Sequence, residues 1–333
     1  MTQTFDIAVV GATGTLGETL VQILEERDFP VGALHLLGSS ESAGASVAFR
    51  GKNVRVREVD DFNFAQVRLV FFAAGPAVSR SFSERARAAG CMIIDLAADI
   101  GVPNVVPEAN IQRLDSIPAP AHVASPSSSA VALAVVLAPL REHLQFEQIN
   151  VTACLAISAL GREAVSELAR QTAELLNVRP LEPRVFDRQV AFNVLPLVGK
   201  PDAEGHLSLE RRLVSELREL LDMPALKVSV TCIQVPVFFG DSFTVSLRSA
   251  AAIDLSKVTA VLDSAAGIEL VENDDYPTPV GDAVGQDVVY VGRLRHGIDD
   301  RQELNLWATV DNVRKGGALN AVQLAQLLIK DLL

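Results

Sequence analysis

The chain has 333 residues, 49% of them hydrophobic, and a formal net charge of −12. That length exceeds one ordinary core and suits two domains of roughly 150 residues each. The acidic balance is spread along the chain without forming a tail, which argues against nucleic acid and anionic membrane surfaces as partners, and no apolar run reaches the roughly 18 to 20 residues that span a bilayer.

In chain order, Phe5–Val10 reads as a buried parallel strand stopped by Gly11, and Glu18 to Arg27 as a helix ended by Pro30. Ala33–Leu37 is a second strand, closed by Gly38-Ser39-Ser40. Leu69–Ala74 is a third, stopped at Gly75-Pro76, and a helix over Ser83–Ala89 follows it. Cys91–Ile94 is the fourth, ending at Asp95. Strands alternating with helices predict a parallel, doubly wound Rossmann-type sheet. The proline- and alanine-rich stretch Ile117 to Pro126 marks the end of this domain, residues 1–126.

Beyond it, Ala130–Leu140 reads as a long apolar helix. Ile149–Ile157, Lys227–Val237, Ser242–Leu247 and Leu304–Val310 are longer strands, with Glu163–Leu176 and Leu209–Leu221 as helices between them. A few long strands with helices on one side suggest an α+β domain with a mixed or antiparallel sheet over residues 127–315. A last helix, Gly317 to Leu332, has Leu319, Val322, Leu324 and Leu328 on its apolar face.

The start, Met1 to Asp6, carries no basic residue and leads straight into a strand, unlike a signal peptide. The three cysteines, Cys91, Cys154 and Cys232, sit in apolar stretches without metal spacing, an odd and sparse set that fits the reducing cytoplasm. The five histidines show no metal spacing either, and no metal site is expected.

The run Gly11-Ala12-Thr13-Gly14-Thr15-Leu16-Gly17 stands between a strand and a helix. Glycines there let the backbone approach a pyrophosphate, and the free N–H groups of the helix start receive its charge. Thr13, Thr15 and Leu16 belong to this cradle, and Gly75 lies in the second cofactor loop. Ser39, Ser40 and Glu41 follow the second strand, where such domains read the adenosine ribose. An acid at that place bonds the ribose hydroxyls and repels a 2′-phosphate, so Glu41 argues for NAD over NADP.

The sequence resembles the aspartate-semialdehyde dehydrogenase family over nearly its whole length. The resemblance rests on Val9-Val10-Gly11-Ala12-Thr13-Gly14, Ser42-Ala43-Gly44, Val105-Val106-Pro107-Glu108-Ala109-Asn110, Ala191-Phe192-Asn193-Val194-Leu195-Pro196 and Asp311-Asn312-Val313-Arg314-Lys315-Gly316-Gly317, with Asn320 and Gln323 in the last helix. It implies a cofactor domain completed by the C-terminal helix (316–333), a catalytic and dimerisation domain, and a cofactor role for Asn320. It also implies a homodimer in which Phe192 to Pro196 lies at the subunit contact. The family reaction is the reversible, phosphorylating oxidation of aspartate semialdehyde with NADP.

Several family positions depart from the pattern. The nucleophilic cysteine of a Pro-Asn-Cys-Ser-Thr run is replaced in Pro126-Ser127-Ser128-Ser129-Ala130 by Ser128, whose hydroxyl needs a positioned base to react. The base histidine of a Val-Pro-Val-x-x-x-His-Ser-Glu run is replaced by Asp241, and the following glutamate by Phe243. The arginine that grips the substrate carboxylate is Gln234, and a strand-end glutamine is Leu155. The arginine expected soon after Asp95 is missing from Leu96-Ala97-Ala98-Asp99-Ile100-Gly101, and the 2′-phosphate arginine is Glu41. The pattern resembles Usg-type homologues, which share the fold without the catalytic cysteine.

Three readings stay open. The first is a homologue without the family activity that keeps dinucleotide binding and the dimer. The second is an oxidoreductase on another substrate, using Ser128, Asp241 or bound water. The third is an interaction module that binds no cofactor. Ser127 to Ser129 also suit helix capping, Asp241 suits a turn after Gly240, and Cys154 and Cys232 are substitute thiols only if the apolar strands expose them.

Overall fold

A computed structural model of the chain describes residues 3–97, 101–197, 199–272 and 274–330. They form two compact units, one ending at Ser127 and resumed from Gly317, the other Ser128–Gly316. Among the described residues no helix is long and apolar enough to cross a membrane.

The first unit opens with β1 (Phe5–Val10) and α1 (Thr15–Glu26), then β2 (Val31–Gly38), β3 (Ser46–Phe49), β4 (Lys52–Glu58) and β5 (Leu69–Phe72). It continues through α2 (Pro76–Ala88), β6 (Met92–Asp95), the single turn α3 (Pro107–Asn110) and β7 (His122–Ala124). The sheet order is β3-β4-β2-β1-β5-β6-β7, parallel apart from the β3–β4 hairpin. Alternation along β1 divides the core: Ile7 and Val9 join α1 and the C-terminal helix on one face, while Ala8 and Val10 join Ala86 of α2 and Phe64 on the other.

Two helices start earlier than the sequence pattern suggests, both for backbone reasons. α1 begins at Thr15 rather than Glu18 and takes Gly17 into its first turn, where a Cβ would lie 2.2 Å from the Gly11 carbonyl oxygen. α2 begins at Pro76 rather than Ser83, because proline suits the first helical position, where its missing N–H goes unused. The stretch between Ile117 and Pro126 carries the edge strand β7 rather than being linker alone.

The second unit contains α4 (Ser128–Arg141), β8 (Phe146–Leu155), α5 (Arg162–Leu176), α6 (Ser208–Leu220), β9 (Lys227–Gln234) and β10 (Asp241–Ser249). It closes with α7 (Leu255–Ser264), β11 (Ile268–Val271), β12 (Val289–His296) and β13 (Glu303–Val310). The order β11-β12-β13-β10-β8-β9 is mixed: β8–β9 and β11–β12 pair in parallel and the other neighbours antiparallel. Phe243, Val245 and Leu247 of β10 are buried, whereas Thr244, Ser246 and their neighbours Thr152 and Asn305 form a polar opposite face. Almost every residue of α4 is buried, the mark of a helix enclosed on all sides.

The chain's last helix, α8 (Asn320–Lys330), belongs to the first unit and follows a wide π-type turn over Arg314–Leu319. The uniform helix expected from Gly317 is therefore shorter at its start, and its expected end at Leu332 lies outside the described residues.

Candidate functional site

In the first unit three loops meet at the C-terminal ends of β1, β2 and β5. Gly11 ends β1 at φ +87, and a Cβ on it would come within 2.7 Å of the Ala73 carbonyl oxygen in the loop before Gly75. Its N–H and that of Ala12 both donate to the Leu37 carbonyl at the end of β2. Gly14 caps α1 without a side chain, and its N–H donates to Gly11 O. Thr15, Leu16 and Gly17 form the first turn of α1, whose N–H groups have no intrahelical acceptor. Gly75 likewise caps α2, with open space where a Cβ would stand.

After β2, the N–H groups of Ser42 and Ala43 donate to Ser39 O, folding Ser39–Ala43 into a tight turn. Ser39, Ser40 and Glu41 are exposed there. Thr13 Oγ1 donates to Ser42 Oγ at 3.3 Å, tying the phosphate cradle to the ribose-reading turn. Ser42 belongs to the run Ser42-Ala43-Gly44, and nothing in its local sequence marks this long-range bond.

Asn320, the first residue of α8, is fully buried, and its Nδ2 donates to Ser125 Oγ at 2.8 Å and to Val105 O at 3.1 Å. Its Oδ1 is buried without a partner among the described residues. A cradle in which Gly11 and Gly17 leave no room for a Cβ, and an amide acceptor with no partner among the described residues, suit a dinucleotide carrying phosphates and a carboxamide donor.

In the second unit the site positions gather where β8 and β9 end and β10 begins. β8 pairs Leu155 with Gln234 in parallel, and β10 starts at Asp241 opposite Val310. Gln234 is 1% exposed, and both its main-chain groups pair with Leu195. Its Nε2 donates to Leu155 O at 2.7 Å, and its Oε1 has no partner among the described residues.

Asp241 is 1% exposed and is a buried strand residue, not the turn residue its place after Gly240 suggested. Its Oδ1 accepts the Ala156 N–H at 2.8 Å, while Thr309 Oγ1 donates to its carbonyl at 2.9 Å. Burial pushes its carboxyl up to about 7, although the Ala156 bond favours the ionised form; the Asp311 charge adds to the rise. Gly240 before it sits at φ +94 against Pro279, its N–H donating to Asn312 Oδ1 at 3.0 Å.

Asp311 accepts the N–H groups of Gly285, Val313 and Arg314 at 2.8 to 2.9 Å. Its carbonyl accepts the Gly316 N–H. Ser128, the first residue of α4, presses on that glycine, where a Cβ would lie 2.2 Å from Ser128 Oγ. Ser128 Oγ is buried and has no hydrogen-bond partner among the described residues. Ser128, Leu155, Gln234 and Asp241 thus belong to one connected neighbourhood.

Cys154 and Cys232 lie beside that cluster, but their surroundings oppose thiolate formation. Cys232 is buried and pushed up to about 12, chiefly by desolvation and then by Glu210 and Asp241. Burial and the Asp241 charge raise Cys154 as well, and burial raises Cys91. Leu96 and Ala97 follow β6, but Ala98, Asp99 and Ile100, in the stretch where the resemblance implies an arginine, lie outside the described residues.

Comparison with known proteins matches two family models: "Semialdehyde dehydrogenase, NAD binding domain" over residues 6–117 and "Semialdehyde dehydrogenase, dimerisation domain" over residues 137–315. A USG-1 protein homolog of Azotobacter vinelandii is 60% identical over 333 residues, covering 99% of each chain. The aspartate-semialdehyde dehydrogenase 2 of Vibrio cholerae is 40% identical over 335 residues, again with 99% of each covered. A solved structure described as a probable aspartate-semialdehyde dehydrogenase from Pseudomonas aeruginosa superposes with a TM-score of 0.97 at 56% identity, over 99% of this chain and 100% of that one.

Proposed function

The chain belongs to the semialdehyde dehydrogenase family, and from that premise we propose that it is a dinucleotide-binding homodimer that has given up the phosphorylating oxidation of aspartate semialdehyde. The observation that carries this reading is the state of the reacting positions. The two residues standing where the family has its carboxylate clamp and its base are spent on the backbone. Gln234 bonds the carbonyl and Asp241 the N–H of the peptide that joins Leu155 to Ala156. Ser128, at the nucleophile position, has no hydrogen-bond partner for its hydroxyl among the described residues. A serine without a positioned base is a poor nucleophile near neutral pH.

Cofactor binding is the retained half of the proposal. Gly11, Thr13, Gly14, Thr15, Leu16, Gly17 and Gly75 would hold the nicotinamide dinucleotide, and Asn320 would offer Oδ1 to its carboxamide. Ser39, Ser40 and Glu41 would read the adenosine ribose, where the acid would favour NAD. When bound, the group supplies a hydride acceptor; the chain supplies the cradle and its free N–H groups. Two copies associate through a contact that includes Phe192 to Pro196. Phe192 is 63% exposed at φ +58. The segment is fixed from inside by buried Gln171, whose Oε1 accepts the Val190 and Ala191 N–H groups. The three free cysteines fit a cytoplasmic protein, and the acidic surface leaves nucleic acid and membranes aside.

One observation favours a second reading. A carboxyl near 7, as at Asp241, has the value a general acid or base needs, so a different oxidoreductase reaction through Asp241 is the alternative. Calorimetric titration with NAD, run beside an assay for reduced cofactor, separates them. Binding without turnover supports the proposal, and turnover on any aldehyde that Asp241→Asn removes supports the alternative.

A further inference from the structure

Gln234 cannot act as a smaller version of an arginine. Its Nε2 donates to Leu155 O at 2.7 Å, which fixes the orientation of the amide, since the oxygen would be repelled from that carbonyl. The main chain on either side is locked to Leu195, so the side chain has little freedom to turn over. What remains is Oε1, an acceptor, buried and without a partner among the described residues, in a residue that is 1% exposed. A buried acceptor without a donor is unfavourable, and a carboxylate, itself only an acceptor, cannot relieve it. An N–H or O–H group can.

The surroundings agree. Leu155 next to Gln234 in the sheet is apolar. The one carboxyl of the cluster that faces the same peptide, Asp241, is near neutral in a slightly acidic solution. Neither contributes a cation.

We propose that Gln234 selects, at the position where relatives grip a carboxylate, an uncharged ligand that donates a hydrogen bond, a primary carboxamide first and an alcohol second. The proposal rests on the family reading that puts Gln234 at the substrate position, and it inverts the charge of what is taken there.

The test uses the full-length protein, saturated with NAD, titrated with a matched pair of small unreactive compounds: L-2-aminobutyramide and L-2-aminobutyrate. They differ only in carboxamide against carboxylate. The expected result is tighter binding of the amide by at least about tenfold. In Gln234→Arg the preference reverses. In Gln234→Leu, with folding checked by circular dichroism, the discrimination disappears. Equal or tighter binding of the carboxylate by the unaltered protein overturns the proposal whatever the variants do. Binding of NAD but of neither compound at millimolar concentration also overturns it and leaves the dinucleotide-binding reading standing. Failure to bind NAD removes that reading instead, and the amide titration is then judged on the protein without cofactor by the same two outcomes.

Discussion

Gln234 and Asp241 hold the two ends of one peptide group: the amide of Gln234 donates to its carbonyl, at Leu155, and the carboxyl of Asp241 accepts its N–H, at Ala156. That peptide closes β8, and Leu155 is itself a position where the family resemblance implies another residue. Three positions far apart along the sequence thus meet at one peptide group.

The carboxyl at one end of this clamp makes stability depend on pH. Asp241 is held at about 7 in the folded protein and titrates near 4 in an unfolded chain. Between those values the folded state keeps a proton that the unfolded state releases. Its favourable contribution is complete below about pH 4 and is lost as pH rises to about 7, by on the order of 4 kcal/mol. Asp241→Asn keeps the acceptor for Ala156 and removes the ionisable group. Denaturant unfolding at pH 5 and pH 8 should show the variant gaining on the parent at the higher pH. An identical difference at both would mean that Asp241 is ionised throughout.

Ser128 and Gly316 are in contact too close for a side chain on the glycine. Gly316→Ala should lower stability by about 1 to 3 kcal/mol through overpacking. Ser128→Ala removes a buried hydroxyl that has no partner among the described residues and should be neutral or stabilising by up to about 1 kcal/mol. Thermal melting of the two variants checks both signs. Ser128→Cys alone should not produce dehydrogenase turnover, because Gln234 and Asp241 remain bound to the backbone.

The glycines of the cradle separate folding from ligand binding. Gly17 has no room for a Cβ against Gly11 O, whereas a Cβ on Gly14 meets its nearest atom at 3.4 Å, and Gly14 has φ −73. Gly17→Ala should destabilise the fold by about 1 to 3 kcal/mol. Gly14→Ala should melt within a few degrees of the parent yet bind NAD at least about tenfold more weakly, because the methyl group stands where the pyrophosphate approaches. Calorimetry and melting curves on the same samples resolve the two effects.

Glu41 is exposed in the turn after β2, so its replacement should leave the fold alone. Glu41→Arg removes the repulsion of a 2′-phosphate and adds a cation that can pair with it. The ratio of NAD to NADP dissociation constants should move toward NADP by about tenfold or more. An unchanged ratio would place the ribose elsewhere.

Much of this was legible in the sequence. Apolar runs such as Phe5–Val10 and Leu69–Phe72 declared the parallel strands, and the mixed second sheet followed from its long strands. β3 and β4 were missed because Ser46–Phe49 is short and Lys52–Glu58 is largely charged, as suits an exposed sheet edge. β11, β12 and α7 were missed where the apolar pattern is weak or broken by charge, as in the end of β12 at Arg293, Leu294, Arg295 and His296. The family resemblance located Ser128, Leu155, Gln234 and Asp241. Their new bonding was not legible, because a hydrogen bond between residues 79 or 85 positions apart leaves no local trace.

Whether the family reaction is lost is decided by assaying purified protein, at high concentration, for reduced cofactor formed from aspartate semialdehyde and phosphate with NAD and with NADP, beside Ser128→Ala. No turnover above the enzyme-free rate is expected in either sample. Turnover by the parent protein that disappears in Ser128→Ala would contradict that loss and make Ser128 a working nucleophile.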